Sequence, residues 1–118
     1  MTVTIRPAAP HHCGTILRFV RELAEYEREP DAVEATEEML AAALFSTPPA
    51  AEALIAERDG EAIGFALFFH NFSTWAGKRG IYLEDLYVTP AARGAGAGKA
   101  LLAHLAGQYE AALGQVAV

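Results

Sequence analysis

Ile81-Tyr-Leu-Glu-Asp-Leu-Tyr-Val-Thr-Pro-Ala-Ala-Arg-Gly-Ala-Gly-Ala-Gly-Lys99 is the stretch whose reading decides the fold. It passes from a β-rich segment carrying the adjacent carboxylates Glu84 and Asp85, over Thr89-Pro90, into a glycine-rich loop that opens a helix. Gly94, Gly96 and Gly98 stand at alternate positions. They leave the backbone uncrowded, so several N–H groups can converge on one anion at the positive end of a helix. A phosphate fits that arrangement. Just upstream, Glu84 and Asp85 lie where a small amine held close to such a ligand could be bound or deprotonated.

Outward from this stretch, Ile81 to Val88 reads as a strand in which Ile81, Leu83, Asp85 and Tyr87 alternate against Tyr82, Glu84, Leu86 and Val88. The alternation predicts Glu84 on one face and Asp85 on the other. Before it, His70 to Gly80 reads as a polar loop. Glu52–Glu57 and Glu61–Phe69 read as strands joined by Arg58-Asp59-Gly60, a strong hairpin signal. The second of these strands is apolar on both faces and belongs inside the sheet; Gly64 interrupts it, as a bulge or a close approach would. Nearer the N-terminus, Thr2–Arg6 reads as a short strand. His12–Glu27 reads as a helix with Ile16, Phe19, Val20, Leu23 and Tyr26 on its apolar face. A second helix is expected after Thr36, a residue suited to N-cap it. Downstream of the glycines, Leu101, Leu105, Tyr109 and Leu113 recur at helical spacing. Gln115–Val118 then looks like the start of another strand.

With 118 residues, 53% hydrophobic and 20% charged, the chain is expected to form a single globular domain, 1–118. The net charge of −6 argues against nucleic acid as a partner. No apolar run is long enough for a bilayer, and the N-terminus lacks a secretion signal, so no membrane and a cytoplasmic location are expected. Cys13 is the one cysteine and excludes an intrachain disulfide. His11, His12, His70 and His104 lack metal-ligand spacing, so no metal is predicted. Between Glu22 and Glu38 the carboxylates face only Arg28 as an opposing charge. Such a run is either a solvated surface or an electrostatic funnel for a cationic substrate.

Several loops bind phosphates. The phosphate-loop NTPase pattern needs a glycine where Arg93 stands and Ser or Thr where Ala100 stands. The dinucleotide fingerprint needs a different glycine spacing and a later acidic residue. Tight helix packing alone would not repay the helix propensity that three glycines lose. Arg93-x-x-Gly96-x-Gly98 resembles the pyrophosphate loop of the GNAT-type N-acetyltransferases, which joins the fourth strand to the third helix. Ile5-Arg-Pro-Ala8, Glu22-Leu-Ala-Glu-Tyr-Glu27, Ile63-Gly-Phe-Ala66, Trp75-Ala-Gly-Lys78 and Tyr82-Leu-Glu-Asp-Leu-Tyr-Val88 are similar, in order and spacing, to the diamine (spermidine/spermine-type) branch of that family.

The resemblance implies an α+β fold with a largely antiparallel central sheet flanked by helices. It implies acetyl transfer from acetyl-CoA, as co-substrate, to the primary amine of a diamine, a polyamine or another small cationic molecule. By resemblance the backbone of Arg93, Gly94, Ala95, Gly96, Ala97, Gly98 and Lys99 holds the pyrophosphate. Leu86, Tyr87 and Val88 pair with the pantetheine arm as an added strand would. Glu84 is the candidate base, and Asp85, with Glu84, Tyr26 and Glu27, lines the amine site. A complete member continues with further strands and a helix, so the C-terminal part of the fold, together with the tyrosine acid, is expected to be missing here. Ile81–Val88 would then be an open apolar sheet edge, which predicts a homodimer or edge-paired oligomer. The alternative function is a noncatalytic CoA-binding or dimerisation module.

Overall fold

The structure, a computed structural model, describes residues 2–75, 77–106 and, in their backbone, 111–117. In chain order the elements are β1 (Val3–Pro7), α1 (Cys13–Tyr26), α2 (Glu37–Phe45), β2 (Glu52–Arg58), β3 (Glu61–Ser73), β4 (Lys78–Val88), α3 (Ala97–Ala106) and β5 (Ala111–Ala117). The strands form one sheet in that order. β1 to β4 are antiparallel to their neighbours, whereas β5 runs parallel to β4.

Local chemistry explains the joints. Asp59 and Gly60 have φ of 54° and 79°, the left-handed pair that a tight hairpin needs, and Asp-Gly supplies it between β2 and β3. The Thr36 side chain accepts a hydrogen bond from the Met39 N–H at 3.1 Å, capping α2 as its sequence position predicts. Short 3-10 turns at Pro10–His12, Pro30–Ala32 and Pro90–Ala92 each begin with proline, which needs no N–H partner there.

The sheet is covered on both faces. On one, Ile16, Phe19 and Leu23 of α1 and Leu44 of α2 pack on Ile55, Phe65 and Tyr87. On the other, Ala97, Leu101 and Leu105 of α3 pack on Ile63, Ile81, Leu83, Leu86 and Val88. Burial of both faces accounts for the continuous apolar runs of β3 and β4.

Two bulges interrupt the sheet. In β3, Ala62 pairs with Glu57 and Gly64 with Ala56, leaving Ile63 as an extra residue. In β4, Leu83 pairs with Phe68 and Asp85 with Leu67, leaving Glu84 as the extra one. Each bulge shifts the strand's alternation by one residue. Gly64 adjoins the first; a Cβ there would lie 2.5 Å from the Tyr87 carbonyl oxygen, so a side chain cannot be accommodated without backbone movement.

Four expectations are corrected. Glu84 and Asp85 do not take opposite faces, because the bulge rotates the chain between them. His70–Gly80 is not a loop: β3 runs to Ser73 and β4 starts at Lys78, because the ladder from Phe69↔Tyr82 to Ser73↔Lys78 satisfies the backbone whatever the side chains. The helix after the glycines is described over Ala97–Ala106, and Leu113, expected to continue it, lies in β5 opposite Leu83, where pairing with β4 overrides local helix propensity; the expected helical position of Tyr109 lies outside the described residues. Finally, Ile81–Val88 is no open edge, since β5 pairs with it from Ile81 to Tyr87.

Candidate active site

The bulge at Glu84 shapes the first part of the site. Ile81, Leu83, Leu86 and Val88 all join the α3-side core, which strict alternation could not achieve. Glu84 and Asp85 consequently both line a cavity of about 410 Å³ on the α1 side. Val20, Leu23 and Ala24 of α1 give it an apolar wall, and Glu27, Glu29 and Glu34 add carboxylates around it. Glu84 is exposed, whereas Asp85 is half-buried. Burial, and secondarily the charge of Glu84, pushes the Asp85 carboxyl up from 3.8 to about 6. A cation entering the cavity relieves that repulsion.

The second part is the glycine loop. Gly94 and Gly96 have φ of 92° and 85°, and a Cβ at either would touch nothing within 4 Å. The loop thus needs these glycines for backbone conformation rather than for space. Arg93 N–H donates to the Pro90 carbonyl at 3.4 Å and Ala95 N–H to that of Ala92 at 3.3 Å. Ala100 N–H donates to the Gly96 carbonyl at 2.9 Å. The N–H groups of Ala97, Gly98 and Lys99 precede this first helical bond and have no carbonyl inside the helix. They border a cavity of about 270 Å³, lined also by Val88, Arg93, Gly94 and Gly96. An anionic group there meets orphan donors and the positive end of α3.

A third cluster joins the loop to α1. The Tyr87 hydroxyl donates to Glu22 Oε1 at 2.6 Å, and Glu22 Oε2 lies 3.5 Å from Arg18 Nε. Burial first, and the bond to Glu22 second, push the Tyr87 phenol up to about 12. Arg93 Nε donates to the Val88 carbonyl at 3.0 Å, while its guanidinium carbon lies 5.2 Å from the Tyr26 ring centre and 5.9 Å from that of Tyr87.

The structure brings Glu27, Glu84 and Asp85 together. Tyr26 instead lines a neighbouring cleft of about 390 Å³ with Glu22, Glu25, Tyr87, Pro90 and Arg93. The outer backbone edge of Leu86 and Tyr87 faces Val116 and Ala117 of β5. Sequence reasoning missed Glu29 and Glu34 as wall residues, although the acidic run pointed to that segment. Nothing in the sequence signals the Glu22–Tyr87 bond, which spans 65 positions.

The antiparallel sheet, with the glycine loop leading from its fourth strand into the third helix, defines the class to which the chain belongs. The chain matches the acetyltransferase (GNAT) family over residues 16–117. It is 44% identical over 112 residues to the thialysine N-epsilon-acetyltransferase of Bos taurus, covering 88% of this chain and 65% of that protein. It is 38% identical over 108 residues to the spermidine/spermine N(1)-acetyltransferase-like protein 1 of Homo sapiens, covering 86% of this chain and 15% of that protein. The fold is similar to that of a ribosomal-protein-alanine N-acetyltransferase from Brucella melitensis biovar Abortus 2308, with a TM-score of 0.75 at 23% identity over 99% of this chain and 81% of the other. The chain therefore belongs to the acetyltransferase (GNAT) family. It spans just under two thirds of the length of its bovine relative.

Proposed function

We propose that the protein is an N-acetyltransferase that moves an acetyl group from acetyl-CoA to a primary amine of a small cationic molecule, of the diamine, polyamine or thialysine kind. The observation that carries this reading is the shared cavity: Glu84 and Asp85 lie on one face with Glu27, Glu29 and Glu34 around them. An amine is protonated at neutral pH and must lose a proton before its nitrogen can attack a thioester. Glu84, exposed to the cavity, takes that proton, and Asp85 holds the cation. A C–N bond forms as the C–S bond breaks, and the proton left on the nitrogen ends on the departing CoA sulfur, which leaves as the thiol. The N–H groups of Gly94, Gly96, Ala97, Gly98 and Lys99 hold the pyrophosphate, within a loop framed by Arg93 and Ala95. The pantetheine arm pairs with Leu86, Tyr87 and Val88 once the end of β5 moves aside.

The names of the relatives support the amine class, and the acid-lined cavity fits it. The test is amine-dependent release of CoA, with spermidine and thialysine as acceptors. Turnover that disappears in Glu84→Gln, with acetyl-CoA binding intact, is expected.

A second reading, a noncatalytic CoA-binding or dimerisation module, draws on the pairing of β5 along the edge that the pantetheine arm requires. It predicts acetyl-CoA binding without amine-dependent release. We further propose a cytoplasmic homodimer or edge-paired oligomer with β5 as the associating strand. Among the described residues, no helix is long and apolar enough to cross a membrane. A clean monomer by light scattering at tens of micromolar would overturn the oligomer.

A further inference from the structure

We propose that Arg93 is a positioning residue: its side chain latches the mouth of α3 to β4 and α1, and it is not a ligand of the cofactor phosphates. Val88 is the last residue of β4, and its carbonyl accepts from Arg93 Nε at 3.0 Å. The same guanidinium covers the Tyr26 and Tyr87 rings at 5.2 and 5.9 Å. Tyr87 is in turn held to α1 through its 2.6 Å bond to Glu22. A planar guanidinium can donate in its plane and stack across its face at the same time, which an ammonium cannot. Arg93, the residue that precedes Gly94, thus connects the glycine loop to the end of β4 and to the last turn of α1. Its backbone N–H is committed as well, to the Pro90 carbonyl at 3.4 Å.

The latch matters because the three orphan N–H groups of α3 serve an anion only if they are held in one orientation. Gly94 and Gly96, both in the left-handed region, give the loop little stiffness of its own. Rigidity must come from a neighbour, and among the described residues Arg93 is the side chain that hydrogen-bonds from this loop to β4.

The affinity half of the test rests on the acetyl-CoA reading above; the other half does not. Backbone hydrogen exchange is followed without ligand in the wild type, Arg93→Lys, Arg93→Gln and Tyr26→Ala. Arg93→Lys is expected to speed exchange at Ala95 and Ala100, the hydrogen-bonded amides of the loop and of the helix mouth, by about tenfold and to leave β2 and β3 unchanged. Tyr26→Ala, which keeps the charge and removes one stacking surface, is expected to do the same by about threefold. Arg93→Gln, which keeps a planar donor, retains most of the protection. Calorimetric titration with acetyl-CoA at about 50 and 300 mM salt then separates latch from ligand. A latch weakens binding in Arg93→Lys more than in Arg93→Gln, with the salt dependence unchanged in both, whereas a phosphate ligand weakens binding most in Arg93→Gln and makes it less salt-dependent than Arg93→Lys. Unchanged loop exchange in Arg93→Lys and Tyr26→Ala, or a flattened salt dependence in Arg93→Gln alone, overturns the proposal. If the wild type does not bind acetyl-CoA, that reading fails and the exchange data alone decide the latch.

Discussion

The bulge at Ile63 in β3 and the bulge at Glu84 in β4 are the same backbone event with different outcomes. Each adds one residue, and each lets neighbouring apolar residues reach the α3-side core. At the first the extra residue is apolar and only 5% exposed, so the shift is absorbed by packing. At the second it is an exposed carboxylate beside a half-buried one, and the shift creates an acidic cavity. A bulge supplies geometry; the side chain it re-aims decides whether that geometry is structural or chemical.

The comparison can be broken at either end. The largest effect is expected at Gly64→Ala, next to the structural bulge, where the new Cβ would fall 2.5 Å from the Tyr87 oxygen. Destabilisation of about 3 kcal/mol or more is expected, visible as a fall in Tm of about 10 °C. A thermal scan within a degree or two of wild type would mean that β3 and β4 do not approach this closely. At the chemical bulge, Glu84→Gln should lower amine-dependent CoA release by about 100-fold while leaving Tm in place. A fall in Tm matching that of Gly64→Ala would show the two bulges to be alike after all.

Asp85 sharpens the contrast through pH. Its folded value of about 6 lies above its ordinary 3.8, so the folded state binds the proton more tightly than the unfolded one. The contribution of Asp85 to stability is therefore fullest below about 4 and is lost as pH rises through 6. Asp85→Asn should raise Tm at pH 7.5 by about 4 °C, and most of the gain should vanish at pH 4. A gain of equal size at both values would trace it to something other than ionisation. The smallest effect concerns the outer strand. Removing Gln115–Val118 uncovers the β4 edge at Asp85–Tyr87, and acetyl-CoA should then bind about threefold tighter. Calorimetry showing weaker binding would make β5 part of the cofactor site instead of its competitor.

Much of this was legible in the sequence, for identifiable reasons. Asp59-Gly60, Thr36 and the alternate glycines act through their own backbone preferences, and a local preference can be read locally. The glycine loop could be set apart from the NTPase and dinucleotide patterns because each of those fixes which positions carry glycine, and its place between a strand and a helix did the rest. The bulges could not be read, because an extra residue is defined only by its partner strand; Glu84 and Asp85 therefore came out on opposite faces. For the same reason the first residues of β5 were hidden within a helical periodicity, since only the edge of β4 gives Ala111–Leu113 a reason to extend, whereas the strand character of Gln115–Ala117 was legible. Glu22 and Tyr87 meet through tertiary packing that no local pattern encodes.

The β3–β4 ribbon extends beyond β2, whose first residue Glu52 pairs with Phe68, and carries Trp75 near its tip, fully exposed. Trp75 is the chain's single tryptophan. Its fluorescence is therefore almost blind to the melting of the core, which tyrosine signals or circular dichroism must follow. In exchange the protein carries an intrinsic optical probe at one address: a blue shift or quench of that emission reports contact at the ribbon tip.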